Sequence, residues 1–148
     1  MRIKELGHVV LYVSDLERSA DFYRDVLGFT QITRDAKQGL AVFSSGRTHH
    51  ELLLIEIGME PEPRRLRTGL YHIGFKIGDK PEDIQNAYRE LKEKGVTIMG
   101  ASDHTVTHSV YILDPDGNEL ELYADVSDAW KKNPAAITAP IKELKLKG

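Results

Sequence analysis

The sequence predicts an α+β protein made of two tandem βαβββ modules. Together they are expected to form one curved, partly open, eight-stranded barrel-like sheet with helices outside. Three observations carry this: an internal repeat covers most of the chain, an amphipathic helix follows an apolar strand in each copy, and each helix is followed by three short strands parted by turn residues. One helix and four short strands cannot bury a sheet alone. Two such units in one chain should therefore pack together, leaving a concave face for a ligand.

The first copy opens with HVVLYVSDLERSADFYRDVLGF, residues 8–29. His8 begins the strand, and Ser14 and Glu17 read as an S-x-x-E capping box. Leu16, Ala20, Tyr23 and Leu27 follow at helical spacing, and Gly28 ends the helix. The second copy opens with HIGFKIGDKPEDIQNAYRELKEKG, residues 72–95. There His72 begins the strand, Asp79 and Glu82 take the cap positions, Ile84, Ala87, Tyr88 and Leu91 line the helix, and Gly95 closes it. The remaining strands are FTQITR, LAVFSS and HELLLIEI in the first copy, and VTIM, HSVYIL and ELELYA in the second. The turn DPDGN joins the last two. This gives one domain over 1–126, with a first module at about 4–58, a linker at 59–69, a second module at about 70–126, and an extended tail over 127–148.

Length and composition agree with one such domain. A chain of 148 residues buries roughly 70% of its unfolded surface. A hydrophobic content of 41%, a charged content of 29% and a net charge of −3 describe a globular chain with no basic excess to attract nucleic acid or anionic membranes. No apolar run approaches the ~20 residues of a membrane span, and MRIKELGHVV carries no signal-peptide core, so the cytoplasm is the expected location. The chain has no cysteine, so any metal must be held by His, Asp or Glu. The linker EPEPRRLRTG, residues 60–69, is expected to be a solvated surface whose three arginines could meet an anionic substrate group.

Alternation along the strands sorts the polar residues by face. His8, Val10 and Tyr12 oppose Val9, Leu11 and Val13; His72, Gly74 and Lys76 oppose Ile73, Phe75 and Ile77. The uniformly apolar side must meet the helices, so His8 and His72 are expected on the concave side, at equivalent positions. In ELELYA, Glu119, Glu121 and Tyr123 oppose Leu120 and Leu122, which adds a carboxylate to that side. Two imidazoles and a carboxylate with open positions make a facial triad for Fe(II), and the same donors suit Mn(II), Zn(II) or Ni(II).

These motifs resemble the vicinal oxygen chelate superfamily, which includes glyoxalase I, bleomycin- and fosfomycin-resistance proteins and extradiol ring-cleaving dioxygenases. The resemblance covers residues 5 to about 125 and implies that His8, His72 and Glu121 are the metal ligands; Glu119 is not the family's ligand position. Within the superfamily the chain looks most like the catechol 2,3-dioxygenase branch. HELLLI then implies His50 as acid–base residue, and DHTVTHSVYILDPDGN implies His104 and Tyr111 as diol-binding residues, with Thr105 where glycine is usual. The resemblance further implies Fe(II), an aromatic diol and O2 as small-molecule substrates, and a homodimer; Trp130 in the tail adds to it.

Two rivals come with the same resemblance. In a glyoxalase I-like lyase or isomerase, Glu51 would supply a fourth metal ligand. In a non-catalytic drug-binding protein, the concavity would only hold a planar or chelating molecule. Because a strand alternates its faces, His50 and Glu51 cannot both serve one cavity. If His50 points inward, Leu52 and Leu54 line the pocket; if Glu51 does, Leu53 and Ile55 line it, and both registers bury leucines. His49 and His108 are expected to be surface residues.

Overall fold

The computed structural model describes all 148 residues, in two compact units. The first comprises Met1–Arg64 with the turn Pro115–Gly117; the second comprises Arg65–Asp114 and Asn118–Gly148. No helix is long and apolar enough to cross a membrane.

The first unit holds strand β1 (Val9–Val13), helix α1 (Leu16–Asp21), which continues as a π-helical turn over Phe22–Val26, and strands β2 (Thr30–Asp35), β3 (Leu40–Ser44) and β4 (Leu52–Glu56). Its sheet has the order β1-β4-β3-β2, with β1 parallel to β4 and the other pairs antiparallel. The second unit repeats this: β5 (His72–Gly78), α2 (Pro81–Glu93), β6 (Ile98–Asp103), β7 (Thr107–Leu113) and β8 (Glu119–Asp125), in the order β5-β8-β7-β6, with β5 parallel to β8. The duplication read from sequence thus extends to strand order and direction. All eight expected strands are present, and hydrogen bonding divides them into one sheet per unit rather than a single continuous one.

The tail, expected as an extended arm, has local structure. It forms a helical turn, α3 (Ala129–Lys132), a 3-10 turn over Pro134–Thr138, and a two-residue strand, β9 (Lys142–Glu143), which pairs with Ser102 and Asp103 on the open edge of β6. Gln85 holds the chain end, donating to the Lys147 carbonyl at 2.6 Å and accepting from the Lys147 amide at 2.9 Å.

Each core follows from the alternation. In the first unit Leu11 and Val13 of β1, Ala41 and Phe43 of β3, and Leu52 and Leu54 of β4 are buried with Leu16, Ala20 and Tyr23 of the helix. Val10 and Tyr12 on the opposite face of β1 are exposed. In the second unit Ile73, Val110, Ile112, Leu120 and Leu122 meet Ile84 and Leu91 of α2. Each fully buried side chain of this size contributes roughly 1.5–3 kcal/mol.

The helix starts differ from the sequence expectation. Asp15, not Ser14, is the N-cap of α1, accepting from the Arg18 amide at 2.9 Å, while Glu56 of β4 accepts from the Leu16 amide at 2.7 Å. Ser14 instead gives its amide (2.9 Å) and hydroxyl (2.5 Å) to Asp116, which also takes a bond from Arg18 at 2.7 Å. A distant carboxylate outcompetes the local one because its two oxygens satisfy three donors. At α2 the cap residue is Lys80, and Asp83 rather than Glu82 reaches back to the amides of Asp79 and Lys80, both at 3.0 Å. Gly28 (φ +75°) and Gly95 (φ +68°) end the helical segments in the left-handed conformation that the sequence assigned to them.

Candidate functional site

In the second unit, the β5–β8 register sets His72 beside Glu119 and Gly74 beside Glu121, with all four on one face. His72 lies between the two carboxylates: its Nε2 is 3.2 Å from Glu121 Oε2 and its Nδ1 is 3.6 Å from Glu119 Oε1. On β7, Ser109 donates to Glu121 Oε1 at 2.6 Å and Tyr111 donates to the same oxygen at 3.2 Å. The Tyr111 hydroxyl is also 2.7 Å from His104 Nε2. Burial, reinforced by the Glu121 charge, pushes the Tyr111 phenol up to about 12, so it keeps its proton at neutral pH. The structure therefore brings four of the expected site residues, His72, Glu121, Tyr111 and His104, into one connected chain.

Sequence reading assigns no role to two residues here. Ser109 is fully buried against Glu121, and Glu119 is buried beside His72. Alternation signalled both, since Ser109 shares a face with Tyr111, and Glu119 shares one with Glu121.

His104 sits at the end of β6 in a tight turn. Its carbonyl accepts from the Val106 amide at 2.8 Å, which puts Thr105 at the centre of a γ-turn with φ +71°. Asp103 Oδ1 accepts from the Thr105 amide at 2.7 Å. His108 Nε2 lies 3.7 Å from Asp103 Oδ1.

In the first unit, the rings of His8 and His50 are 4.5 Å apart, and those of His50 and His49 are also 4.5 Å apart. The Nδ1 atoms of His49 and His50 approach to 2.5 Å, so His49 takes part in this cluster rather than standing apart on the surface. Desolvation, followed by the proximity of His49 and His8, lowers the His50 pKa and favours its neutral, proton-accepting form.

Strand alternation does not settle the orientation of His50 and Glu51, because β4 begins only at Leu52 and residues 49–51 precede it. Leu52 and Leu54 are fully buried while Leu53 and Ile55 are half-buried, the leucine register expected with Glu51 on the concave side. Yet the Glu51 carboxylate turns back into its own loop. It accepts from the amides of Ser45 (2.7 Å) and Thr48 (3.2 Å) and pairs with Arg47 at 3.4 Å. Burial raises its pKa, but the Ser45 amide, the Ser44 and Ser45 hydroxyls and Arg47 outweigh that and lower it. The registers sharpen the point. Val10 pairs with Leu53 as Gly74 pairs with Glu121, so the first copy carries leucine at the position equivalent to the second copy's carboxylate, and Glu51 corresponds to Glu119.

An α+β chain with twice-repeated βαβββ topology, carrying a histidine at or next to the start of the first strand of each copy, defines a class. The comparisons give its family: the chain belongs to the Glyoxalase/Bleomycin resistance protein/Dioxygenase superfamily, matched over residues 5–122. It is 36% identical to the catechol-2,3-dioxygenase of Bacillus subtilis over 86% of this chain and 44% of that protein. It is 32% identical to the metallothiol transferase FosB of Staphylococcus haemolyticus over 82% of this chain and 84% of that protein. The chain thus spans less than half the length of the dioxygenase it matches. Among solved structures, a glyoxalase/dioxygenase from Nostoc punctiforme shares the fold, with a TM-score of 0.71 and 24% identity over 84% of this chain and 92% of that one. Relatives in two reaction classes mean that membership fixes the scaffold and not the reaction.

The second unit offers a divalent cation two suitable donors, and no group of three or more His, Asp or Glu side chains that could hold a metal ion is gathered in the chain. Imidazole nitrogen and carboxylate oxygen are the donors such ions take, and His72 Nε2 and Glu121 Oε2 present them side by side. Gly74 adds no side chain over them; a Cβ there would lie 3.5 Å from Glu121 Oε2. His72 Nδ1 is buried without a hydrogen-bond partner, poised for the outer contact that metal-binding histidines make.

Proposed function

We propose that the protein is a divalent-metal-dependent, extradiol-type dioxygenase that opens a catechol-like aromatic diol with O2, using Fe(II) held by His8, His72 and Glu121. The observation that carries this reading is the His104–Tyr111–Glu121 chain, with contacts of 2.7 and 3.2 Å. It ties two groups able to bind a diol to a candidate ligand carboxylate. Bound Fe(II) supplies Lewis acidity for two vicinal oxygens and an electron relay between the ring and O2.

The chain's own residues do the rest. Tyr111, whose phenol stays protonated, donates a hydrogen bond to a diol oxygen, and His104 accepts or returns that oxygen's proton. His50, biased towards its neutral form, takes the second diol proton and returns it to developing charge on oxygen. The likeness to a catechol-2,3-dioxygenase supports the reading. Against the lyase alternative stands Leu53, where a fourth carboxylate would be needed.

The test is oxygen uptake by protein reconstituted anaerobically with Fe(II), across a panel of catechols, with spectra followed for a ring-opened product. Uptake with ring opening, lost in His50→Phe, is the expected result. Metal binding without uptake by any catechol would refute the assignment.

A further inference from the structure

We propose that Glu119 is the positioning residue of the candidate metal centre: it takes the Nδ1 proton of His72 and so leaves the Nε2 lone pair free for the cation. The inference rests on the metal-site reading above.

His72 has two ring nitrogens and one carboxylate facing each. In a neutral imidazole only one nitrogen carries the proton, and the other is the ligand. If the proton sat on Nε2 it would bond to Glu121 at 3.2 Å, blocking the nitrogen beside the candidate ligand oxygen and leaving the buried Nδ1 lone pair facing the Glu119 carboxylate. If it sits on Nδ1, the orphaned buried nitrogen gains a carboxylate partner, and Nε2 and Glu121 Oε2 offer two lone pairs to one ion. Glu121 Oε1 already accepts from the Ser109 and Tyr111 hydroxyls, and its Oε2 is the oxygen beside Nε2. Glu119 is the carboxylate that faces Nδ1. It is buried, with 6% of its surface exposed, and is paired in register with His72 through the β5–β8 ladder.

The 3.6 Å separation is longer than an N–H···O bond of about 2.7–3.2 Å, so a small rotation of the carboxylate or the ring must close it. Such partners of metal-bound histidines fix ring orientation and tautomer. The first copy differs: Glu51, at the position equivalent to Glu119, uses its oxygens on the amides of Ser45 and Thr48.

The test combines two readouts on the full chain. One is the His72 tautomer in the metal-free protein, from long-range proton–nitrogen NMR at a fixed pH above the ordinary imidazole range. The other is Zn(II) affinity, by competition with a chromophoric chelator. The wild type should show the Nδ1–H tautomer. Glu119→Leu should shift it to Nε2–H and weaken Zn(II) binding about 10–100-fold. Glu119→Gln, whose amide oxygen still accepts but without the charge, should keep the tautomer and weaken Zn(II) binding measurably, by up to about tenfold. A folded Glu119→Leu with unchanged tautomer and affinity would overturn the inference while leaving the metal site intact. If Glu119→Leu fails to fold, unchanged affinity in Glu119→Gln overturns it. Wild-type protein that binds no Zn(II), or binds it equally well as His72→Ala, overturns the metal-site reading and this inference together.

Discussion

Replacing Thr105 by glycine should stabilise the protein. Thr105 is the one non-glycine residue with positive φ, +71°, at the centre of the γ-turn closed by the Val106 amide on the His104 carbonyl. A β-branched residue held there costs about 1–2 kcal/mol of steric strain. Glycine removes that strain but loses about 0.5–1 kcal/mol through its freer unfolded chain. Thr105 is exposed, so little packing is lost, and the net gain is about 0.5–1 kcal/mol. An unfolding entropy of about 2.1 cal/mol/K per residue over this chain makes that about 2–3 °C in Tm. Calorimetry on wild type, Thr105→Gly and Thr105→Ala decides the matter. The alanine variant keeps a Cβ at positive φ and should stay close to wild type. A glycine variant with unchanged or lower Tm, or an alanine variant that rises equally, would refute the attribution to backbone strain.

Four further outcomes are expected. Tyr111→Phe, which deletes the hydroxyl bonded to Glu121 and His104, should lower kcat/KM for a productive diol by about 10²-fold or more. Because the folded phenol pKa is raised to about 12 from an ordinary value of 10.0, the stability it contributes is complete below about pH 10 and is lost as pH rises through about 12. Urea titrations at stepped alkaline pH should show a shallower decline in Tyr111→Phe than in wild type. Asp116→Ala strips partners from the Ser14 amide, the Ser14 hydroxyl and Arg18. It should cost about 2–3 kcal/mol, read as a lower urea midpoint at unchanged slope. Zn(II) at a hundredfold excess over its dissociation constant should add about 2.7 kcal/mol, reversibly with chelator and not in His72→Ala; an equal gain in that variant would place the ion elsewhere.

Much of the fold was legible because it rests on local periodicity. Leu11 and Val13 are buried and Val10 and Tyr12 exposed, as period 2 requires, and Leu16, Ala20 and Tyr23 pack as their helical spacing requires. His72 and Glu121 follow the same rule, whereas Tyr111 is legible only through the family resemblance and joins them through the β7–β8 register. What escaped depended on where elements begin and on partners remote in sequence. His50 and Glu51 read as the start of a strand, but the strand starts at Leu52, so alternation has no hold on them. Ser14 reads as a local cap until Asp116, 102 residues on, claims its amide and hydroxyl. The π-helical turn at Phe22–Val26 left no periodic trace in so short a helix. Glu119 was seen on the correct face, but its approach to the far nitrogen of His72 depends on side-chain geometry that a face assignment does not contain.

The Ser14–Asp116 bonds also order events in time. During synthesis the first βαβββ unit emerges complete by Arg64, yet the turn Pro115–Gly117 that finishes it is made only after most of the second unit. Until then the Ser14 amide and Arg18 at the start of α1 must be solvated by water, and the nascent unit should fray at that helix start. Closing a loop of this length is entropically slow compared with the local pairings on either side. The carboxylate of Asp116 therefore acts as a late latch: nascent chains stalled before residue 116 should be open to protease near Ser14 and Arg18, and chains released just beyond it should be protected.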